Sequence, residues 1–478
     1  MAETKYAGEY IVEECKLYTV GGLELDLKDL LTSVIIYEDI FKNSITGSIA
    51  FIDTNNITAN ASIVGQEKLK LVLMTPNADD DTSREMSVNF SDMPLYVYKI
   101  GSKIQLNDNT QSFVLNFTTR ELIRNNQVRC SQSYEGEPSA EIIKKILRDP
   151  LLLDSKKEFY YEETTNLFKL VAPNQRPFDF INNVSKRCLS KEYNFSPTFL
   201  FYETLRGYWF RTIDSMMDRK NPRMVYSEQT PNEQDADIIS KMSNILEYEV
   251  TGSTDTILNR RAGMYNSNLL MLDVYNKTYS HHEYKYIDEF ENDIHADEYN
   301  TYASQKKPVL SEALDDYGNT MSDYPDSVVH LQTIERVPEY GLFNPAFEGE
   351  PYQYTGTDKW LQRRRSRFTV LDNAISIRIK VPGTTAMQAG DMVGIILKNK
   401  TGDETAQDPY LTGRYLVRNL RHEFKKGQGQ LKHEMHLDCI RDTVAVAYPS
   451  DGIALEDGGN SLELIVPRGS ASSEDIKF

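Results

Sequence analysis

The most constraining feature is a pair of long runs near the end of the chain. GRYLVRNLRHEF (413–424) and GQLKHEMHLDCI (429–440) flank the turn KKGQGQ (425–430). Both runs mix β-branched, aromatic and polar residues with no helical period, so they read as a hairpin. Side chains alternate on a strand. Leu431, His433, Met435, Leu437 and Cys439 then face one way, and Lys432, Glu434, His436, Asp438 and Ile440 the other. The stretch is rich in metal-ligand residue types, but the pattern argues against a metal site. A zincin needs its histidines four apart on a helix. Here His433 and His436 are three apart and fall on opposite strand faces. His433 sits in an apolar row as a core or interface histidine. The other face is charged, with Lys432, Glu434, His436 and Asp438.

The rest of the chain is organised around similar short strands. Residues 1–125 hold several β runs with turn signals between them, including EKLKLVLMTP (67–76), where Leu69, Leu71 and Leu73 alternate with Lys68 and Lys70. This suggests a small barrel or sandwich. Residues 126–243 change character. EPSAEIIKKILRDPL starts a helix with Ser139 as N-cap and Ile142, Ile143 and Ile146 on one face. RPFDFINNVSKRCLS (176–190) is a second short helix, feeding the hairpin SPTFLFYETLRGYWFRTID (196–214), and together these form an α+β unit. Residues 244–280 and 366–447 read as β again. Residues 281–365 form an irregular arm rich in Tyr, Asp, Asn, Pro and Gly, and 448–478 an extended tail that contains IVPRGS. The expected fold class is therefore mainly β with an α+β insert.

Composition removes several functions. The formal net charge is -18, so the surface as a whole is unsuited to gripping duplex phosphates. Four scattered cysteines without a CxxC argue against zinc ribbons and disulfide scaffolds. There is no P-loop, GxGxxG or GxSxG, and neither a signal peptide nor an apolar run long enough for a membrane span. HHEYKYIDEFENDIHADE (281–298) and NADDDTSRE (77–85) fail the calcium-loop spacing and read as solvated acidic loops. No cofactor, catalytic residue or metal ligand is expected. The sharpest basic feature is LQRRRSRF (361–368), where Arg363, Arg364, Arg365 and Arg367 could pair with acidic loops of a neighbouring subunit or meet passing phosphates.

Several of these strings resemble one family. ITGSIAFIDTNNI (45–57), RPFDFINNVSKRC followed by SPTFLFYETLRGYWFRTI, and AGDMVGIILKN followed by LTGRYLVRNLRHEF…LKHEMHLDCIRDTV are similar, in their order along the chain, to segments of the central baseplate hub of contractile-tailed (T-even-like) bacteriophages, related to the hub part of type VI secretion spike (VgrG-like) proteins. The resemblance implies two tail-tube-like β-barrel domains, 1–125 and 244–280 with 366–447. The α+β domain 126–243 would decorate the outside, and the arm 281–365 would reach neighbouring baseplate proteins. It also implies a non-enzymatic homotrimer in the virion tail baseplate. Such a trimer presents near-six-fold symmetry to a tail-tube or tube-initiator protein and three-fold symmetry to a separate central spike protein, with a channel through which DNA passes without specific binding. The resemblance makes the charged face of 429–440 (Lys432, Glu434, His436, Asp438) a candidate lumen or subunit-interface surface, together with Arg363, Arg364, Arg365 and Arg367, and the chain's acidity suggests an acidic channel wall. The competing readings are a tail-associated cell-wall hydrolase and a receptor-binding tail protein.

Overall fold

The computed structural model describes residues 6–444 apart from 54–62, 76–86, 229–240, 300–306, 309–316, 334–356, 400–406 and a few shorter gaps, and beyond them one ladder, Ala454–Asp457 with Asn460–Glu463. The acidic stretch 77–85, most of the tail and its IVPRGS lie outside the described residues. The fold is mainly β with small α+β parts, as the sequence suggests.

The first β region contains β1 (Ile11–Tyr18), β2 (Leu31–Asp39), β3 (Thr46–Asp53), β4 (Lys68–Met74), β5 (Leu95–Asn107) and β6 (Thr110–Thr118). Alternate residues of these strands, among them Val34, Ile36, Ile49, Phe51, Leu69, Leu71, Leu115 and Phe117, form one buried cluster. That is the outcome of period-two patterning, in which one face is apolar and collapses.

The α+β unit follows. Helix α1 (Arg120–Gln127), α2 (Ser139–Arg148) and α3 (Pro177–Ser185) pack with the hairpin β7 (Leu200–Thr204) and β8 (Gly207–Arg211). Ile142, Ile143 and Ile146 share a buried face with Phe178, Ile181, Phe201 and Tyr208. Ser139 is not the N-cap. It is the first helical residue after Pro138, and its hydroxyl accepts from the Cys188 thiol at 3.0 Å. Pro138 and Pro177 open their helices instead, and fixed φ with no missed N–H makes proline suited to that place. α3 also ends sooner than its apolar spacing suggests, at Ser185, although Cys188 remains buried.

The second β region contains β9 (Met224–Ser227) and β10 (Glu247–Gly252). The chain then departs into a separate unit, a three-stranded sheet of β11 (Asn266–Asp273), β12 (Thr278–Lys285) and β13 (Val329–Thr333) backed by helix α4 (Thr357–Asn373). It returns as β14 (Ile375–Pro382), β15 (Met392–Ile396), β16 (Gly413–Gly427) and β17 (Gln430–Arg441). Two differences from the sequence reading stand out. Residues 366–373 are helical rather than β, because the buried face of α4 carries Gln362, Ser366 and Arg367 beside Val370 and Leu371, and polar residues on a buried face hide the helical period. Residues 266–273 belong to the separate sheet and not with β10, since β11 pairs only with β12 and β13.

One 14-stranded sheet unites both β regions in the order β10-β14-β17-β16-β2-β3-β6-β5, continuing through β4 to β1. The seam is β16 against β2, paired from Asn419↔Asp39 to Lys425↔Ser33. On either side of the seam the same topology occurs. In chain order β2, β3, β5, β6 lie in space as β5-β6-β3-β2, and β10, β14, β16, β17 lie as β16-β17-β14-β10. β4 pairs with β5 and β15 with β16, which extends the correspondence. Every neighbouring pair along the eight strands is antiparallel, so equivalent strands run in the same direction. The two halves are therefore a head-to-tail repeat, not a two-fold pair. The sequence shows no such repeat.

Candidate functional site

Charge concentrates on an open face of the sheet and at two buried junctions.

On β17 the expected alternation holds. His433, Met435, Leu437 and Cys439 are buried, while Lys432, His436 and Asp438 reach the other face. Glu434 shares that face but is largely covered by Lys432 at 2.8 Å and Lys380 at 3.4 Å. Register brings neighbouring strands into the same face. Arg378 of β14 binds Asp438 at 2.6 Å, Lys380 reaches Glu247 of β10 at 3.4 Å, and on β16 Glu423 takes Lys425 at 3.0 Å, Arg421 at 3.1 Å and His436 at 3.3 Å. Burial alone pushes the Glu423 and Glu434 carboxyls up, but their lysine and arginine neighbours outweigh it and hold both below the ordinary range. His436 is held down by burial and by Arg421, against the opposite pull of Glu423. Carboxylates (Glu247, Glu249, Glu423, Glu434, Asp438) and cations (Arg378, Lys380, Arg421, Lys425, Lys432) balance. Across the seam the same face continues with uncharged residues: Ser33, Ile35 and Tyr37 of β2, opposite Ser48 and Ala50 of β3 and Asn116 and Val114 of β6. The acidity of the chain is not concentrated here.

The arginine cluster is placed differently from expectation. Arg367 is fully buried and takes no part in any open surface. It donates to Asp442 at 2.8 Å and to the Ile294 carbonyl at 2.7 Å, with Asp293 at 3.5 Å and Asp214 at 3.6 Å. Arg363 binds Asp293 at 2.7 Å, and Arg364 donates to the Pro197 and Phe199 carbonyls. Only Arg365 of the four is exposed. The reason is helical geometry: residues 363, 364 and 367 lie three or four apart on one side of α4, and that side faces the α+β unit.

Two partners of Arg367, Asp293 and the Ile294 carbonyl, lie within 281–298, which the sequence suggests is a solvated loop. Instead Asp293, His295 and Asp297 are buried at alternating positions of a short strap. His295 bonds Asp442 at 2.8 Å and the Phe290 carbonyl at 2.8 Å, and Asp297 holds Arg441 at 2.7 Å and Thr443 at 2.7 Å. Asp214 accepts from the Ile294 amide at 2.9 Å and from Thr198 at 2.9 Å. The strap thus ties together α4, the α+β unit and the end of β17. Desolvation works against ionisation in Asp214, Asp293 and Asp442. In Asp214 the Arg367 charge outweighs it, and in Asp442 His295 and then Arg367 do, so both stay below the usual carboxylate range. In Asp293 burial wins and the carboxyl is pushed up. The alternation D-x-H-x-D is the signal that could have marked this strap, with polar residues facing in.

A second junction joins the α+β unit to the first β region. Lys157, buried, reaches Glu121 at 2.7 Å and also Glu203, whose other oxygen accepts from the Ile45 amide at 2.9 Å. Among the described residues no helix is long and apolar enough to cross a membrane, and no group of three or more His, Cys, Asp or Glu is placed to hold a metal ion.

No protein-family profile and no curated protein matches the chain by sequence. Among solved structures, a tail protein from Neisseria meningitidis MC58 is 9% identical, covering 91% of this chain and 97% of that one with a TM-score of 0.49. The 43 kDa tail protein of prophage MuSo2 from Shewanella oneidensis is 8% identical, covering 90% and 99% with a TM-score of 0.49. The E. coli c3393 protein, a component of the type VI secretion system described as structurally similar to T4 bacteriophage tail proteins gp27 and gp5, is 8% identical, covering 93% and 81% with a TM-score of 0.39. Likeness at this level carries no argument about mechanism. The structural neighbours are phage tail and type VI secretion proteins, the groups whose hub the sequence motifs resemble.

Proposed function

We propose that this chain is a non-enzymatic structural hub of a contractile tail baseplate, acting as a homotrimer that joins a three-fold spike to a six-fold tail tube around a channel for DNA. The observation that carries this reading is the head-to-tail strand repeat. A heterologous contact between like units builds a ring when its rotation closes, and the β16–β2 seam is such a contact inside one chain. Its two edges recur at the ends of the eight-strand run. β5 is equivalent to β16, and beyond Tyr96 its outer edge has no partner strand among the described residues. β10 is equivalent to β2 and, among the described residues, pairs only with β14. Both edges expose apolar side chains, Tyr98 and Ile104 on β5 and Val250 on β10, next to Leu246. Open edges of this kind invite another strand. Pairing β5 of one copy with β10 of the next repeats the internal seam, and three copies supply six repeats.

In this ring the domains follow the cores: 1–125 and the β10, β14–β17 strands as the tube-like barrels, with the α+β domain 126–243 outside. The charged face of β14, β16 and β17 and the uncharged face of β2, β3 and β6 then alternate around the channel. Such a wall is ion-paired and near neutral rather than acidic, and it leaves no unpaired row of arginine or lysine to hold phosphates. Light scattering of the purified chain tests the reading. A trimer is expected, and Ile104→Glu with Val250→Glu, which sets like charges on both edges, should weaken it at least tenfold. Because both sites are exposed, the monomer fold should change by no more than about 0.5 kcal/mol. A parent chain that stays monomeric contradicts the proposal.

A further inference from the structure

The unit of β11–β13 and α4 has one covered sheet face and one open one. On the α4 side Leu269, Met271 and Tyr284 are buried, and Gln362 donates to the Ser267 carbonyl at 2.9 Å and to the His282 carbonyl at 3.2 Å. On the opposite face strand pairing sets Leu270 beside Leu331, Leu272 beside Tyr279, and Val329 beside Asn268. Leu270 is half-buried there, but Leu272 and Val329 are exposed, Leu331 is 62% exposed and Tyr279 73%. Three adjacent strands thus turn one apolar patch to water. A sheet face of this composition ordinarily carries a second layer, and the eight-strand sheet does not supply it, since β11 pairs only with β12 and β13.

Another segment of the chain has the complementary need. Beyond Val444 the ladder Ala454–Asp457 with Asn460–Glu463 pairs with no other strand among the described residues. A lone two-stranded hairpin is marginal in water and gains stability by laying an apolar face on something else. Leu455 is paired with Leu462, so period-two alternation puts Ile453, Leu455, Leu462 and Leu464 on one face and Glu456, Ser461 and Glu463 on the other. One face suits an apolar sheet and the other suits solvent. The hairpin also starts from the right place. Asp442 binds Arg367 of α4 at 2.8 Å. Gln362, which touches β11 and β12, lies five residues earlier on the same helix, about 8 Å along its axis. The open face is about 10 Å beyond, one layer spacing. Residues 445–453 link Val444 to the hairpin, and nine residues reach about 30 Å.

We infer that the open face of β11–β13 is the docking site of the chain's own C-terminal hairpin, which lies on it as a second layer with its leucine face against Leu270, Leu272 and Leu331. A monomer would dock its hairpin in the same way, so the outcome does not depend on the hub reading. Hydrogen exchange of the full chain, read by mass spectrometry, tests it. Amides of 454–463 should exchange at least tenfold more slowly than in a free peptide of that sequence. Leu331→Asp on the sheet and Leu462→Asp on the hairpin should each abolish that protection. Leu151→Asp, at an exposed site of the α+β unit, should leave it intact. Leu331→Cys with Leu462→Cys should form a disulfide within one chain, since the four native cysteines are buried. Unprotected hairpin amides in the parent, protection that survives Leu331→Asp, or a cross-link that joins two chains or fails to form would each overturn the inference.

Discussion

His422 and His433 lie fully buried beside the seam, His422 Nδ1 to His433 Nε2 at 3.1 Å, with the His433 ring stacked on Phe424 at 4.0 Å. Gly383 lies so close that a Cβ there would overlap the His433 imidazole, and the His433 amide donates to the Gly8 carbonyl at 2.6 Å. Burial presses the His422 pKa down to about 3 and holds His433 well below the ordinary value, with the His422 charge adding to it. The native state therefore binds fewer protons than the unfolded chain between that level and the free-histidine value of about 6.5. Stability supplied by the neutral pair is complete above about pH 6.5 and is lost as pH falls below it, by up to about 1.4 kcal/mol per pH unit for each histidine. Chemical denaturation at pH 5 and pH 7 measures this, and in His422→Leu the slope should flatten by about one proton. An unchanged slope would place the titration elsewhere. His433 was legible as a core residue from strand alternation alone. Its pairing with His422 was not, because it depends on register between two strands.

At the scale of elements, α4 and the strap 293–297 show what hides from a sequence. Arg367 reads as one of a surface run, yet it is the cation around which Asp214, Asp293 and Asp442 close. Removing one partner from a buried ion network leaves the others uncompensated, at a cost of about 3–5 kcal/mol. Arg367→Met should therefore destabilise by about that much in urea denaturation, and Arg365→Met, two residues away but exposed, by less than about 0.5 kcal/mol. Equal effects would mean that the network does not hold the units together. The β strands and the helices α2 and α3 were readable because their buried faces are apolar and periodic. Residues 366–373 and the strap escape a reading by periodicity because both bury charge, and hydrophobic periodicity is blind to buried charge. The open face of β17 was readable by alternation, but its near-neutral balance was not, since the compensating charges come from β10, β14 and β16.

At the scale of the whole molecule, the repeat was invisible in the amino acids and plain in the topology. Equivalent strands keep their order and direction while their side chains have diverged to one charged and one uncharged face. The insert positions also explain why the resemblance to hubs is scattered: the α+β unit and the β11–β13 unit interrupt the repeat at one end only. The account stands or falls on whether the β5 and β10 edges meet between copies. A density map of the assembled trimer measures this directly. It should show β10 of each copy continuing the sheet onto β5 of the next, giving six four-strand runs around one channel. Copies held together through other surfaces, with both edges open to solvent, would contradict it.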